Sequence, residues 1–98
     1  MSIKFIFTYD QIVKSNLNYW GRNGSGICAG LDLTVWSDLS KVTVYPINSY
    51  DKVSSSCYIQ IPGDPKVIRE IADYLLSIAD QIDQKKNSQK KEVLQSAV

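Results

Sequence analysis

The chain has no histidine, and that absence removes more chemistry than any other feature of its 98 residues. Histidine supplies the base in Ser–His and Cys–His nucleophile systems and the imidazole of many metal sites, so both kinds of centre are excluded. Cysteine is scarce: two thiols cannot build a tetrathiolate zinc site. Long apolar runs are missing, and no window approaches the roughly 18 apolar residues of a membrane span. Met1–Phe7 alternates and carries one lysine, which is not a signal-peptide pattern. These features make a soluble, cytoplasmic protein the expectation. Excess charge is missing too, at +1 overall. Residues 1–80 carry seven basic against eight acidic side chains, and residues 81–98 carry four against two. A body with net charge −1 is a poor surface for tracking phosphates, and the balance leans away from nucleic acid.

What is present suits a folded domain. Hydrophobic residues make up 44 % and aromatics 10 %, enough for a modest core at this length. Ile3–Tyr9 alternates and is rich in β-formers, a strand signal. Asp10–Trp20 reads equally well in two ways. It is a short helix capped by Asp10 and stopped by Gly21, with Val13, Leu17 and Trp20 on one side, or it is the arm of a hairpin turning at Asn23-Gly24.

Beyond it the alternation predicts three strands. In Ile27–Trp36 the odd positions Ile27, Ala29, Leu31, Leu33 and Val35 face the core, and Cys28, Gly30, Asp32, Thr34 and Trp36 share the other side. In Lys41–Ile47, Val42 and Val44 point inward and Tyr45 outward. In Cys57–Ile61, Cys57, Ile59 and Ile61 point inward and Tyr58 outward. Ser37–Ser40 and Asn48–Asp51 are the turns, and Pro46 belongs near a strand end. Setting Val35 opposite Val42 and Val44 opposite Ile59 puts Tyr45 across from both Asp32 and Tyr58, with Trp36 beside Lys41. The two cysteines fall on opposite faces and cannot approach to the roughly 4 Å between Cβ atoms that a disulfide needs, so two free thiols and a reducing compartment are expected.

Asp64-Pro65 opens a helix whose stripe Ile68, Ile71, Ala72, Leu75, Ile78, Ala79 and Ile82 should pack on the inner sheet face. The lysine-rich stretch Gln84–Lys91 either ends this helix or continues it into solvent. The expected fold is α+β: an antiparallel meander of three or four strands packed on one long C-terminal helix. Residues 1–84 form a single domain and 85–98 a polar tail or helix extension.

The order of elements over Ile27–Ile82 resembles the small single-strand-binding folds of the Whirly type and of a transcription coactivator. That resemblance implies bases stacking on sheet aromatics, with basic side chains on the phosphates. It matches no motif residue by residue, and basic residues are sparse beside these rings.

One helix covers one face of a small sheet, so Trp36, Tyr45 and Tyr58 stand on the face left over. Tyr19, Trp20 and Arg22 edge the glycine-rich Gly21–Gly26 loop, which has no Gly-Lys-Ser or Gly-Lys-Thr and is followed by a strand, unlike a phosphate-binding loop. Tyr, Trp and Arg are the types in which interfaces concentrate their energy. Among the carboxylates, Asp73 and Asp80 lie two helical turns apart, too far to share a proton. No catalytic residue, metal or cofactor is expected. The reading is a small non-enzymatic module that binds another protein through Trp36, Tyr45, Tyr58, Tyr19, Trp20 and Arg22. It suits an accessory factor or inhibitor of the kind carried by phages and mobile elements. Single-stranded nucleic acid binding and a homo-oligomeric structural subunit are the alternatives.

Overall fold

The computed structural model describes residues 1–21, 24–54 and 57–96, with residues 89–96 described by their backbone. The chain is α+β and forms two compact units, Met1–Asp64 and Pro65–Val98. In the first, β1 (Ser2–Ile6), α1 (Tyr9–Ser15), β2 (Asn18–Gly21), β3 (Gly24–Ile27), β4 (Gly30–Val35), β5 (Lys41–Ile47) and β6 (Ile59–Pro62) follow in order. Four strands make one antiparallel sheet in the order β1-β4-β5-β6, and β2 and β3 make a separate hairpin.

The register of the main sheet is the one that apolar alternation demands. Val35 pairs with Val42, Asp32 with Tyr45 and Val44 with Ile59. A slip of one residue would exchange the two faces, which is why a consistent apolar row pins the pairing. Pro46 stands one residue before the end of β5, and its carbonyl accepts from Ser54 N–H at 2.9 Å.

Asp10–Trp20 resolves into both of the structures it suggested. Its first part is helical, but the cap is Thr8, not Asp10: Thr8 Oγ1 accepts Gln11 N–H at 3.2 Å and Gln11 Oε1 accepts Thr8 N–H at 2.9 Å. This reciprocal capping box satisfies two amides at the helix start, while Asp10 sits in the first turn where a carboxylate favours the dipole. The helix stops at Asn16, not Gly21. Asn16 adopts φ 50° and ψ 56°, a left-handed conformation that asparagine tolerates better than most residues. The remaining residues become β2, so Val13, Leu17 and Trp20 do not share a helix face. The expected turn residue Asn23 lies outside the described residues; Gly21 pairs with Gly24 on either side of it.

The single strand expected over Ile27–Trp36 is two strands with different partners. At the break Cys28 N–H donates to Leu17 O, Ala29 N–H to Ile47 O, and Ala29 O accepts from Phe7 N–H. The chain thus leaves the hairpin and enters the four-stranded sheet within two residues. Gly30 is required just there, because a Cβ on it would collide with Phe5 O and stand 3.2 Å from Ile6 Cα.

The second unit is α2 (Pro65–Ser96), with Pro65 in the first helical position as its fixed φ allows. The lysine-rich Gln84–Lys91 stretch continues the helix. Among the described residues no helix is long and apolar enough to cross a membrane.

Candidate functional site

The rows of the main sheet set out the site. Trp36 and Lys41 are adjacent across β4 and β5, with Trp36 N–H donating to Lys41 O at 3.1 Å. The next row is Ser2, Thr34, Thr43 and Gln60, and the next is Lys4, Asp32 and Tyr45. Tyr45 continues to Tyr58, their ring centroids 5.7 Å apart with planes tilted by 52°. Such a cross-strand pair contributes roughly 0.2–1 kcal/mol to the sheet.

The expectation that the core lies on the opposite face and this one lies outside is corrected. Thr43 and Asp32 are the polar members of its middle and are 0 % and 4 % exposed, whereas Ile59 of the row expected to face the core is 65 % exposed. Both polar side chains are short and lie on the central strands, flanked by longer neighbours. The Trp36 indole leans across the row, its Nε1–H donating to Thr43 Oγ1 at 2.8 Å. Lys41 Nζ stands 4.2 Å from the ring centroid on the same indole, an ammonium–ring contact worth about 0.5–1 kcal/mol at an exposed site. Thr34 Oγ1–H donates to Asp32 Oδ1 at 2.6 Å, which commits its single proton. The 2.9 Å contact between Ser2 Oγ and Thr34 Oγ1 therefore has Ser2 as donor. Among the described residues no buried side-chain nitrogen or oxygen lacks a partner. Thr34, Asp32, Thr43 and Trp36 spend polar groups on one another; outward the face offers Trp36 and Tyr58, which are exposed, and the half-buried Tyr45, with the exposed Lys4 and Gln60 beside them.

The hairpin adds a second wall. Tyr19 faces Gly26 across β2 and β3, packed so closely that a Cβ on Gly26 would stand 3.0 Å from Tyr19 Oη and the ring would have to shift by a few tenths of an ångström. Trp20 O accepts from the Cys57 thiol, which ties β2 to the segment entering β6. Between hairpin and sheet lies an open cleft of about 330 Å3, lined by Tyr19, Trp20, Leu31, Pro46, Tyr58 and Ile59 among others.

Of the residues singled out from the sequence, the structure thus gathers Tyr19, Trp20 and Tyr58 around one cleft and pairs Tyr58 with Tyr45. Trp36 stands apart, fixed over Thr43. Arg22 lies outside the described residues. The Gly21–Gly26 segment is not a loop throughout: Gly21 closes β2 and Gly24–Ile27 is β3. Cys28 and Cys57 are both free, yet the opposite-face argument does not describe them, for both line the cleft. Cys28 lies at the break between strands, where alternation no longer sets direction, and its thiol donates to Gly30 O. Sequence reading missed Thr43 as the support of the Trp36 ring and Asp32 as a buried acceptor for Thr34; the only signal was their place opposite Thr34 and Tyr45. Among the described residues no three His, Cys, Asp or Glu side chains gather to hold a metal ion. No family model, curated protein or solved structure matches the chain.

Proposed function

We propose that this chain is a small non-enzymatic module that binds another protein, with Tyr58 at the centre of the contact. Tyr58 carries the proposal because it belongs to two surfaces at once: its ring packs on Tyr45, and it lines the cleft with Tyr19 and Trp20. Rigid aromatic rings beside a concave apolar surface are the arrangement on which protein interfaces concentrate their energy. Trp36, held by Thr43 and Lys41, stands apart from the cleft and offers a separate ring in a fixed orientation, at little entropic cost on binding. The two free thiols suit a reducing compartment, the cytoplasm. An accessory factor or inhibitor acts in this way.

The test is capture from the native host with ring substitutions as the discriminating arm. A partner should be retained by the wild-type chain and by Tyr50→Ala, an exposed tyrosine in the Asn48–Asp51 turn. Retention should fall by roughly 30-fold in Tyr58→Ala, the equivalent of a 2 kcal/mol hot spot. A partner held equally by Tyr58→Ala, or no protein retained at all, overturns the proposal. Quenching of tryptophan emission by a single-stranded oligonucleotide at low salt, lost as salt rises, would assign the rings to base stacking instead.

A further inference from the structure

The outer edge of β1 is a surface that the aromatic patch does not use. β1 ends the order β1-β4-β5-β6, and among the described residues no strand pairs with its other side. All five of its residues are exposed, including the apolar Ile3, Phe5 and Ile6. Hydrogen bonds fix which backbone groups face outward. Phe7 N–H donates to Ala29 O, and Met1 O accepts from Val35 N–H. Bonded and unbonded pairs alternate in an antiparallel ladder, so the odd residues of β1 face β4. Ser2, Lys4 and Ile6 therefore turn their N–H and C=O groups away from the sheet. A row of unpaired amides is a template for another extended strand. The opposite edge is not: by the same alternation the outward residues of β6 are Gln60 and Pro62, and proline has no N–H to give.

We infer that β1 pairs antiparallel with β1 of a second copy of this chain, about a two-fold axis at Phe5. The strand is short enough that its charge decides the register. An axis at Lys4 would set two ammonium groups directly opposite each other, which destabilises a strand pair. An axis at Phe5 moves each lysine opposite the partner's Ile6. Lys4 and Ile6 are both outward-facing residues, so each of these two pairs closes a double hydrogen bond. Phe5 meets the partner's Phe5 at an unbonded position, where side chains approach most closely. Phe5 and Phe7 already pack edge to face at 5.7 Å, and with Ile3 opposite the partner's Phe7 their apolar row becomes continuous across the axis. Ser2 adds no further bond, because Thr8 N–H, opposite it in this register, is already committed to Gln11. The four-stranded sheet becomes one of eight strands with β6 at both ends.

Analytical ultracentrifugation of the full chain over a wide concentration range tests the pairing. The mass should double with concentration. Lys4→Pro removes one outward amide and no bond to β4, so it should remain monomeric with an unchanged circular dichroism spectrum. Register is read separately, in a Cys28→Ser/Cys57→Ser background that first shows the same doubling. There Phe5→Cys, which keeps Lys4, should form a covalent dimer with oxidised glutathione and Ile3→Cys should not. A wild-type chain that stays monomeric, or a dimer that Lys4→Pro leaves intact, overturns the pairing. A dimer in which Phe5→Cys does not cross-link overturns the register.

Discussion

Replacing Thr43 with valine asks whether the bond from Trp36 holds the indole over the sheet. Thr43 has no exposed surface, and its Oγ1 accepts Trp36 Nε1–H at 2.8 Å. Valine has the same branched shape and suits a strand equally, so the change exchanges a hydroxyl for a methyl and little else. Two magnitudes compete. A hydrogen bond of this kind contributes about 1 kcal/mol net, whereas an indole N–H stranded in the interior would cost about 1–3 kcal/mol. Trp36 keeps 40 % of its surface exposed, so the released N–H can reach water and the smaller figure governs. Thr43→Val should therefore lower stability by about 0.5–1.5 kcal/mol, with Tm falling by about 4–8 °C for each kcal/mol in a chain of this size. A single variant does not separate the bond from the change in packing; a double-mutant cycle with Trp36→Phe does, because phenylalanine keeps a ring and lacks the donor. Urea unfolding of the four proteins should give a coupling of about 1 kcal/mol at constant m. In a Trp20→Phe background, where Trp36 is the remaining tryptophan, its emission should shift to the red as the ring swings outward. A coupling below about 0.3 kcal/mol together with unmoved emission would refute the reasoning, since additivity within that error means that the two side chains do not interact.

Two further predictions concern the local devices that frame the sheet. Thr8→Ala removes the acceptor for Gln11 N–H and loosens the reciprocal bond, and should cost about 1 kcal/mol in urea unfolding; a variant as stable as wild type would mean that the capping box is idle. Asp38 should titrate below the usual carboxylate range, chiefly because the Ser40 hydroxyl donates to its Oδ1 at 2.7 Å and secondarily because Ser40 N–H does so at 3.0 Å. A depressed folded value favours the folded state above the unfolded carboxylate value of about 3.9, and that contribution disappears as pH falls through the folded one. Ser40→Ala should move the Asp38 midpoint upward in a carbon-detected NMR titration, and a midpoint that stays where it was would remove the hydroxyl as the cause.

The strand register was legible because it is a parity problem. Val35, Val42, Val44 and Ile59 must share a face and the turn between β4 and β5 is short, so few pairings satisfy both conditions; Tyr45 against Asp32 and Tyr58 followed from the shared face. Pro65 was legible as a helix start for an equally local reason. The break at Cys28–Ala29 was not, since Ile27, Ala29 and Leu31 keep the alternation going straight through it. What divides the strand is a set of bonds to Leu17, Ile47 and Phe7, all distant in sequence. Thr8 was legible in principle. Thr8-x-x-Gln11 is a capping-box pattern, but Asp10 is also a good cap and drew the boundary inward.

The candidate site shows where parity stops being informative. Alternation places Trp36, Tyr45 and Tyr58 on one side of the sheet, but it does not say what each ring touches. Trp36 spends its only side-chain polar atom on Thr43 and takes Lys41 on its ring, and Thr43 is the buried member of a row whose ends, Ser2 and Gln60, are exposed. Tyr58 acquires Tyr19 and Trp20 as neighbours because the hairpin folds back to place Trp20 O against the Cys57 thiol, a contact between residues 37 apart in the chain. Neither event is a preference of any short segment. The rings that carry the proposed contact are therefore not equivalent. Trp36 is a fixed surface whose orientation is set before any partner arrives, and the cleft wall formed by Tyr19 and Trp20 is only as fixed as the thiol bond that ties it down. Losing Cys57 should loosen the cleft and leave Trp36 in place, which makes Cys57→Ala the variant that separates the two halves of the patch.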